Sequence, residues 1–210
     1  MTDYTLRNVK GSELTYTEVD NNFIASRSTA RLNSCSIILP ATGLYVNQSF
    51  GGVPMGTDTL AADTIQLSPF YTGYELEIDQ VGVWQTSGGS QDLRILIYSS
   101  DTNGRPYSKL AETATITTAA NDNTVALSFT FTANTLYWVG NHSGGTETFR
   151  SIEDDNLLPL GVGTGLNTTA QLNHIALGST AIGAAPSTWS FAVGQLASAA
   201  SLTSIGFRAV

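Results

Sequence analysis

The sequence predicts an all-β protein: a jelly-roll-like antiparallel β-sandwich preceded by a short helical or extended N-terminal arm. Three observations carry this. Period-two alternation recurs from residue 64 onward, broken by turn residues. Charged residues make up only 12% of the 210, so Ser, Thr, Asn and Gln must wet the strand faces. A helical signal is confined to the first 30 residues. Eight or so strands at this spacing fit one sandwich. A jelly roll comes first because a long hairpin run over residues 74–142 supplies most of one. The chain divides into residues 1–31, an attachment or oligomerisation segment, and residues 32–210, the sandwich.

The arm carries the stretch GSELTYTEVDNNFIAS, Gly11 to Ser26. Thr15 and Glu18 stand at capping-box spacing. Leu14, Val19 and Phe23 give a short, weakly amphipathic turn. One such turn is too small to be stable alone, so it needs a partner surface.

Ile37, Ile38 and Leu39 suggest a first strand or connecting arm, stopped by Pro40. Residues 47–62 read as loop. TIQLSPFY reads as a short strand that Pro69 places at an edge or strand end. In YELEIDQVGVWQT, Leu76 and Ile78 share one parity and Val81 and Val83 the other. A bulge near Asp79–Gln80 would restore a common core face. Ser87 to Ser90 is a turn. DLRILIYS is nearly continuous in apolar residues, which implies burial on both faces. Asn103–Gly104 marks a turn. Val125, Leu127, Phe129 and Phe131 form the cleanest alternation in the chain. TLYWVGNHS is a further strand ended by Gly144–Gly145, and ETFRSI another. Residues 156–201 read as long loops with short strands around Ile175–Leu177 and Trp189–Val193. SLTSIGFRAV closes the sheet.

The arm also resembles a family. KGSELTYTEVDNNF is similar to the G-x-x-L-T-x-x-E-x-D-x-N-F segment near the N-terminus of many tailed-phage virion proteins, especially tail fibres, spikes and their adaptors. The matching residues are Gly11, Leu14, Thr15, Glu18, Asp20, Asn22 and Phe23. The terminal SIGFRAV resembles the last strand of phage receptor-binding or head-fibre domains. The resemblance implies a virion location on tail or capsid, other phage structural proteins as partners, and a homotrimer. It implies that Leu14, Thr15, Glu18, Val19, Asp20, Asn22 and Phe23 contact the particle or sister subunits.

Charge and cysteine content narrow the classes further. The net charge is −8, and it lies in the body: residues 1–31 hold four basic and four acidic residues, the remainder five and thirteen. An acidic body argues against nucleic-acid binding and against docking on anionic membranes. The single cysteine, Cys35, allows no intramolecular disulfide and no cysteine-based zinc site. Met1 to Lys10 lacks the apolar core of a signal peptide, and no apolar run is long enough to insert in a membrane.

Catalytic constellations are thin. His142 and His174 are the only histidines. Ser143 adjoins His142, but strand neighbours point to opposite faces. Glu75, Glu77 and Asp79 read as a solvated strand face rather than a glycosidase pair. Glu153, Asp154 and Asp155 form a charged loop, and whether they bind a metal ion is left open. No enzyme activity and no cofactor are expected. Glycan contact needs an aromatic platform, for which Trp84, Trp138 and Trp189 are candidates. Trp84 and Trp138 sit in apolar strands and read as core. Trp189, flanked by Ser187, Thr188 and Ser190, reads as the best surface contact.

The expected function is therefore that of a structural virion protein. Its arm anchors it, and its sandwich is displayed to bind host-surface glycan or protein. The alternatives are a capsid decoration protein without a receptor role and a free carbohydrate-binding module. A capsule depolymerase ranks last, for want of a paired-carboxylate cleft.

Overall fold

The computed structural model describes residues 41–47, 56–153, 172–197 and 201–210. These form two antiparallel seven-stranded sheets packed face to face, with no α-helix among the described residues. The expected all-β sandwich is the fold observed. Sheet A contains β1 (Tyr45–Asn47), β2 (Gly56–Leu60), β4 (Leu76–Ser87), β8 (Asn121–Phe131), β10 (Glu147–Glu153), β13 (Ser201–Thr203) and β14 (Gly206–Ala209). Sheet B contains β3 (Thr64–Thr72), β5 (Asp92–Ser100), β6 (Pro106–Glu112), β7 (Ile116–Thr117), β9 (Thr135–Ser143), β11 (His174–Leu177) and β12 (Leu196–Ala197).

One two-stranded ribbon ties the sheets together. In sheet B, β3 pairs with β9 from Thr64↔Ser143 to Thr72↔Thr135. The pairing resumes past the corner in sheet A as Leu76↔Phe131, between β4 and β8. The ribbon thus rolls from one sheet into the other without losing register at the corner. Its inward side chains meet in an aromatic cluster. Phe131 lies 4.8 Å from Phe70, 5.1 Å from Tyr137 and 5.3 Å from Phe207, all edge-on or nearly so. Such contacts add about 0.5–1.5 kcal/mol each beyond burial.

The expected bulge lies at Asp79. The β4 register slips between Ile78 and Gln80 against both β8 and β14. As a result Leu76, Ile78, Val81 and Val83 are all buried in one core despite their opposite parity. The displaced Asp79 faces solvent and takes a bidentate pair from Arg208, at 2.8 and 2.7 Å. Those bonds hold its carboxyl below the usual range.

Sheet B is buried on both faces, as the apolar run of β5 requires. Leu93, Ile95 and Ile97 enter the core between the sheets, while Leu96 and Tyr98 enter a second cluster on the outer side. Segment 185–196 covers that outer side. It is pinned by backbone bonds from Lys109 N–H to Ser187 O (2.9 Å) and from Trp189 N–H to Tyr107 O (2.6 Å). The Tyr98 hydroxyl donates to Pro186 O at 2.6 Å, and burial, with Glu112 nearby, pushes its pKa up.

One expectation is corrected here and one is narrowed. Residues 47–62, read as loop, contain β2 and the end of β1. Leu60 of β2 is buried, and β2 pairs along β10 from Glu147↔Leu60 to Ser151↔Gly56. Gly, Thr and Asp hide this strand because its partner lies some ninety residues away, beyond the reach of local pattern. Of the edge or strand end expected at Pro69, the structure has the edge. The strand continues to Thr72 because β11 pairs only with Ile65 to Leu67, so β3 lacks a second neighbour at Pro69.

Candidate ligand-binding groove

The outward face of sheet A is built from three rows of residues lying across adjacent strands. The first row is Asp122 on β8, opposite Trp84 on β4, with Arg150 on β10 one step beyond the Phe149↔Gln85 pair. The second row is Thr124, Gly82 and Gly206, ending at Asn47 on β1. The third is Ala126, Gln80, Arg208 and Tyr45. Period-two alternation puts these residues outward because Val81, Val83, Phe149 and Phe207 point into the core.

The two glycines of the middle row leave a trough. Rows one and three stand four residues apart along β4, roughly 13 Å at the usual strand rise. Between them no side chain stands on Gly82 or Gly206. The result is a groove of about 460 Å³, whose described lining includes Tyr45, Gly82, Trp84, Asp122, Arg150 and Gly206. A side chain at either glycine would disturb its walls. A Cβ at Gly82 would lie 2.8 Å from the Thr124 methyl, and one at Gly206 would lie 3.0 Å from the Tyr45 ring.

The walls are aromatic and polar. Trp84 is 42% exposed and Tyr45 49%. The Tyr45 hydroxyl donates to Gln80 Oε1, which fixes the ring against the strand. Arg150 is held at its backbone, where its carbonyl accepts from Ser204 N–H at 2.8 Å. Its side chain is exposed. The arrangement combines flat apolar surfaces, a cation, a carboxylate and a hydroxyl around a concave floor. That is the usual make-up of a ligand site.

The readings of Trp189 and Trp84 are reversed, while Trp138 lies in the core as read. Trp189 is 4% exposed, edge-on to Tyr98 at 5.4 Å, with its indole N–H donating to Gln195 Oε1 at 3.1 Å. It packs segment 185–196 onto sheet B. Trp138 is likewise buried, and its indole N–H donates to Gly104 O at 3.1 Å. Trp84, read as core, is the exposed ring. Tyr45, Asp122, Arg150 and the glycine floor were not singled out from sequence.

The remaining candidates do not assemble into a catalytic site among the described residues. His142 Nε2 lies 2.8 Å from Thr180 O, whereas the Ser143 hydroxyl donates to Gly145 O at 2.6 Å, so the adjacent pair is split. His174 Nδ1–H donates to Asn173 Oδ1 at 2.9 Å, and burial lowers its pKa to about 4. Glu75 and Glu77 are exposed on the β4 side of the sandwich. No group of three or more His, Cys, Asp or Glu gathers among the described residues. Glu153 ends β10, while Asp154 and Asp155 lie outside the described residues. So do Cys35 and the whole attachment segment, including Leu14, Thr15, Glu18, Val19, Asp20, Asn22 and Phe23.

No protein-family model matches the chain, and no curated protein matches it.

Proposed function

We propose that the chain is a displayed ligand-binding module of a tailed-phage virion protein. In this reading residues 1–31 dock on the particle, and the sheet A groove holds a host-surface glycan. One observation carries the ligand half: an exposed tryptophan and tyrosine flank a side-chain-free trough on an otherwise well-packed sandwich. Aromatic faces beside hydrogen-bonding groups suit sugars, whose C–H faces are apolar and whose edges are hydroxyls. The attachment half rests on the resemblance of the arm, and the homotrimer belongs to the same proposal.

Two experiments test it. The full-length protein is applied to an array of bacterial surface polysaccharides, beside Trp84→Ala and Tyr45→Ala variants. Binding by the parent that either variant reduces at least tenfold is the expected result. Absence of any bound polysaccharide, or equal binding by Trp84→Ala, would defeat the ligand half. For attachment, Leu14→Ser/Phe23→Ser is expected to fold yet fail to co-purify with particles. Full occupancy of particles by that double variant removes the anchor from the arm.

A further inference from the structure

We infer that the groove selects an acidic glycan, one built on a hexuronate unit, with Arg150 reading the carboxylate. This rests on the reading of the groove as a glycan site. Five cations lie beyond residue 31, all within the described residues. Four are engaged. Arg94 and Lys109 bond to Glu112 at 2.8 and 2.5 Å, Arg208 bonds to Asp79 at 2.7 Å, and Arg105 lies 4.8 Å above the Phe191 ring. Arg150 alone has no ion pair, side-chain hydrogen bond or ring contact among the described residues. Among the described residues Arg150 is therefore left without a carboxylate or a ring. It stands at the rim of the trough rather than on a random surface.

The order along the first row specifies the ligand further. Arg150, Trp84 and Asp122 occupy three adjacent strands, so neighbouring positions lie ~4.8 Å apart. A hexuronate has matching parts in matching order. Its carboxylate projects from one edge of the ring, its flat C–H face lies in the middle, and vicinal hydroxyls occupy the far edge. A guanidinium takes a carboxylate as a coplanar two-bond pair. The indole of Trp84 takes the ring face. A carboxylate such as Asp122 accepts from two adjacent hydroxyls, but would repel a second acid. Asp122 therefore sets the direction in which the sugar lies and limits the site to one acid group per unit. The same feature disfavours densely charged polyphosphate chains. The Gly82–Gly206 trough beside the row leaves space for the polymer to continue toward Tyr45.

The test uses the full-length protein and isothermal titration with oligosaccharides of polygalacturonate, polyglucuronate and polymannuronate. Each is paired with its carboxyl-reduced, neutral counterpart, and a glycerol-phosphate polymer is included. At least one uronate is expected to bind, with a tenfold or greater loss on carboxyl reduction. Arg150→Gln should abolish that preference for acid over neutral form, and Arg150→Lys should retain part of it. Asp122→Asn should weaken binding and admit the glycerol-phosphate polymer. Arg150→Gln should melt with the parent protein, since its side chain has no partner among the described residues to lose. Equal binding of acidic and reduced forms, still dependent on Trp84, would overturn the acidic preference and leave the groove a neutral-glycan site. Tightest binding to glycerol phosphate would replace the carboxylate with a phosphate and overturn the hexuronate assignment. No binding of any probe would overturn the inference, and the polysaccharide array then decides separately whether the groove binds glycan at all.

Discussion

Replacing Trp189 by alanine should unfold the outer layer of sheet B and cost far more than replacing Trp84. Trp189 is 4% exposed and packs with Tyr98, Leu96 and Ile175 in the second apolar cluster. Removing a buried tryptophan costs about 3–5 kcal/mol, from lost transfer energy and the cavity left behind. The Gln195 side chain would also lose one of its two donors, since its Oε1 accepts from both the indole and Ala192 N–H. A loss near 4 kcal/mol in a domain of this size lowers the melting temperature by roughly 8–16 °C. Trp84 is 42% exposed, and its alanine variant should shift stability by no more than about 0.5 kcal/mol. Thermal unfolding followed by circular dichroism measures both. Acrylamide quenching provides an independent reading, because the chain has only three tryptophans. The quenchable emission should vanish in Trp84→Ala and persist in Trp189→Ala. A Trp189→Ala melting point within about 2 °C of the parent would refute the packing argument.

Three further outcomes follow from the fold. His174 titrates near 6.5 when unfolded and at about 4 in the buried native site, so the unfolded chain binds protons first. Its contribution is therefore complete above pH 6.5 and lost as pH falls to about 4, a swing of roughly 3 kcal/mol that His174→Gln should flatten in a pH series of urea melts. Gly140→Ala should cost about 3 kcal/mol or more in chemical denaturation, because its Cβ would strike the Gln66 carbonyl and lie 2.9 Å from Leu67 Cα, both backbone atoms. Deleting Asp79 should retain near-native circular dichroism, since it removes the extra residue and leaves Ile78 and Val81 two positions apart on one face of a regular strand, and Asp79→Ala should retain it as well.

What was legible in the sequence was whatever repeats with the strand period. The parity change between Ile78 and Val81 announced the bulge. The unbroken run in β5 announced a sheet covered on both sides. That same parity placed Trp84 outward, between the inward Val83 and Gln85, so its exposure was available in the pattern. Trp189 was not. It lies in a segment without period, and its burial depends on Tyr98 and Tyr107, some eighty to ninety residues earlier. The trough was hidden for a related reason. Gly82 and Gly206 become one floor only when β14 is laid beside β4, and no local pattern states that register.

The bulge at Asp79 has a consequence for how this surface can vary. Beyond it, odd positions of β4 serve the core and even positions serve the groove. Trp84, and by the same alternation Arg150 and Asp122, can therefore be exchanged without altering any side chain that holds the sheets together. Under the proposed glycan-binding reading, ligand preference and foldability are assigned to separate residues along the same strands. On that reading, a lineage under pressure to follow a changing surface polymer can revise its contacts one outward position at a time while the sandwich beneath stays as it is.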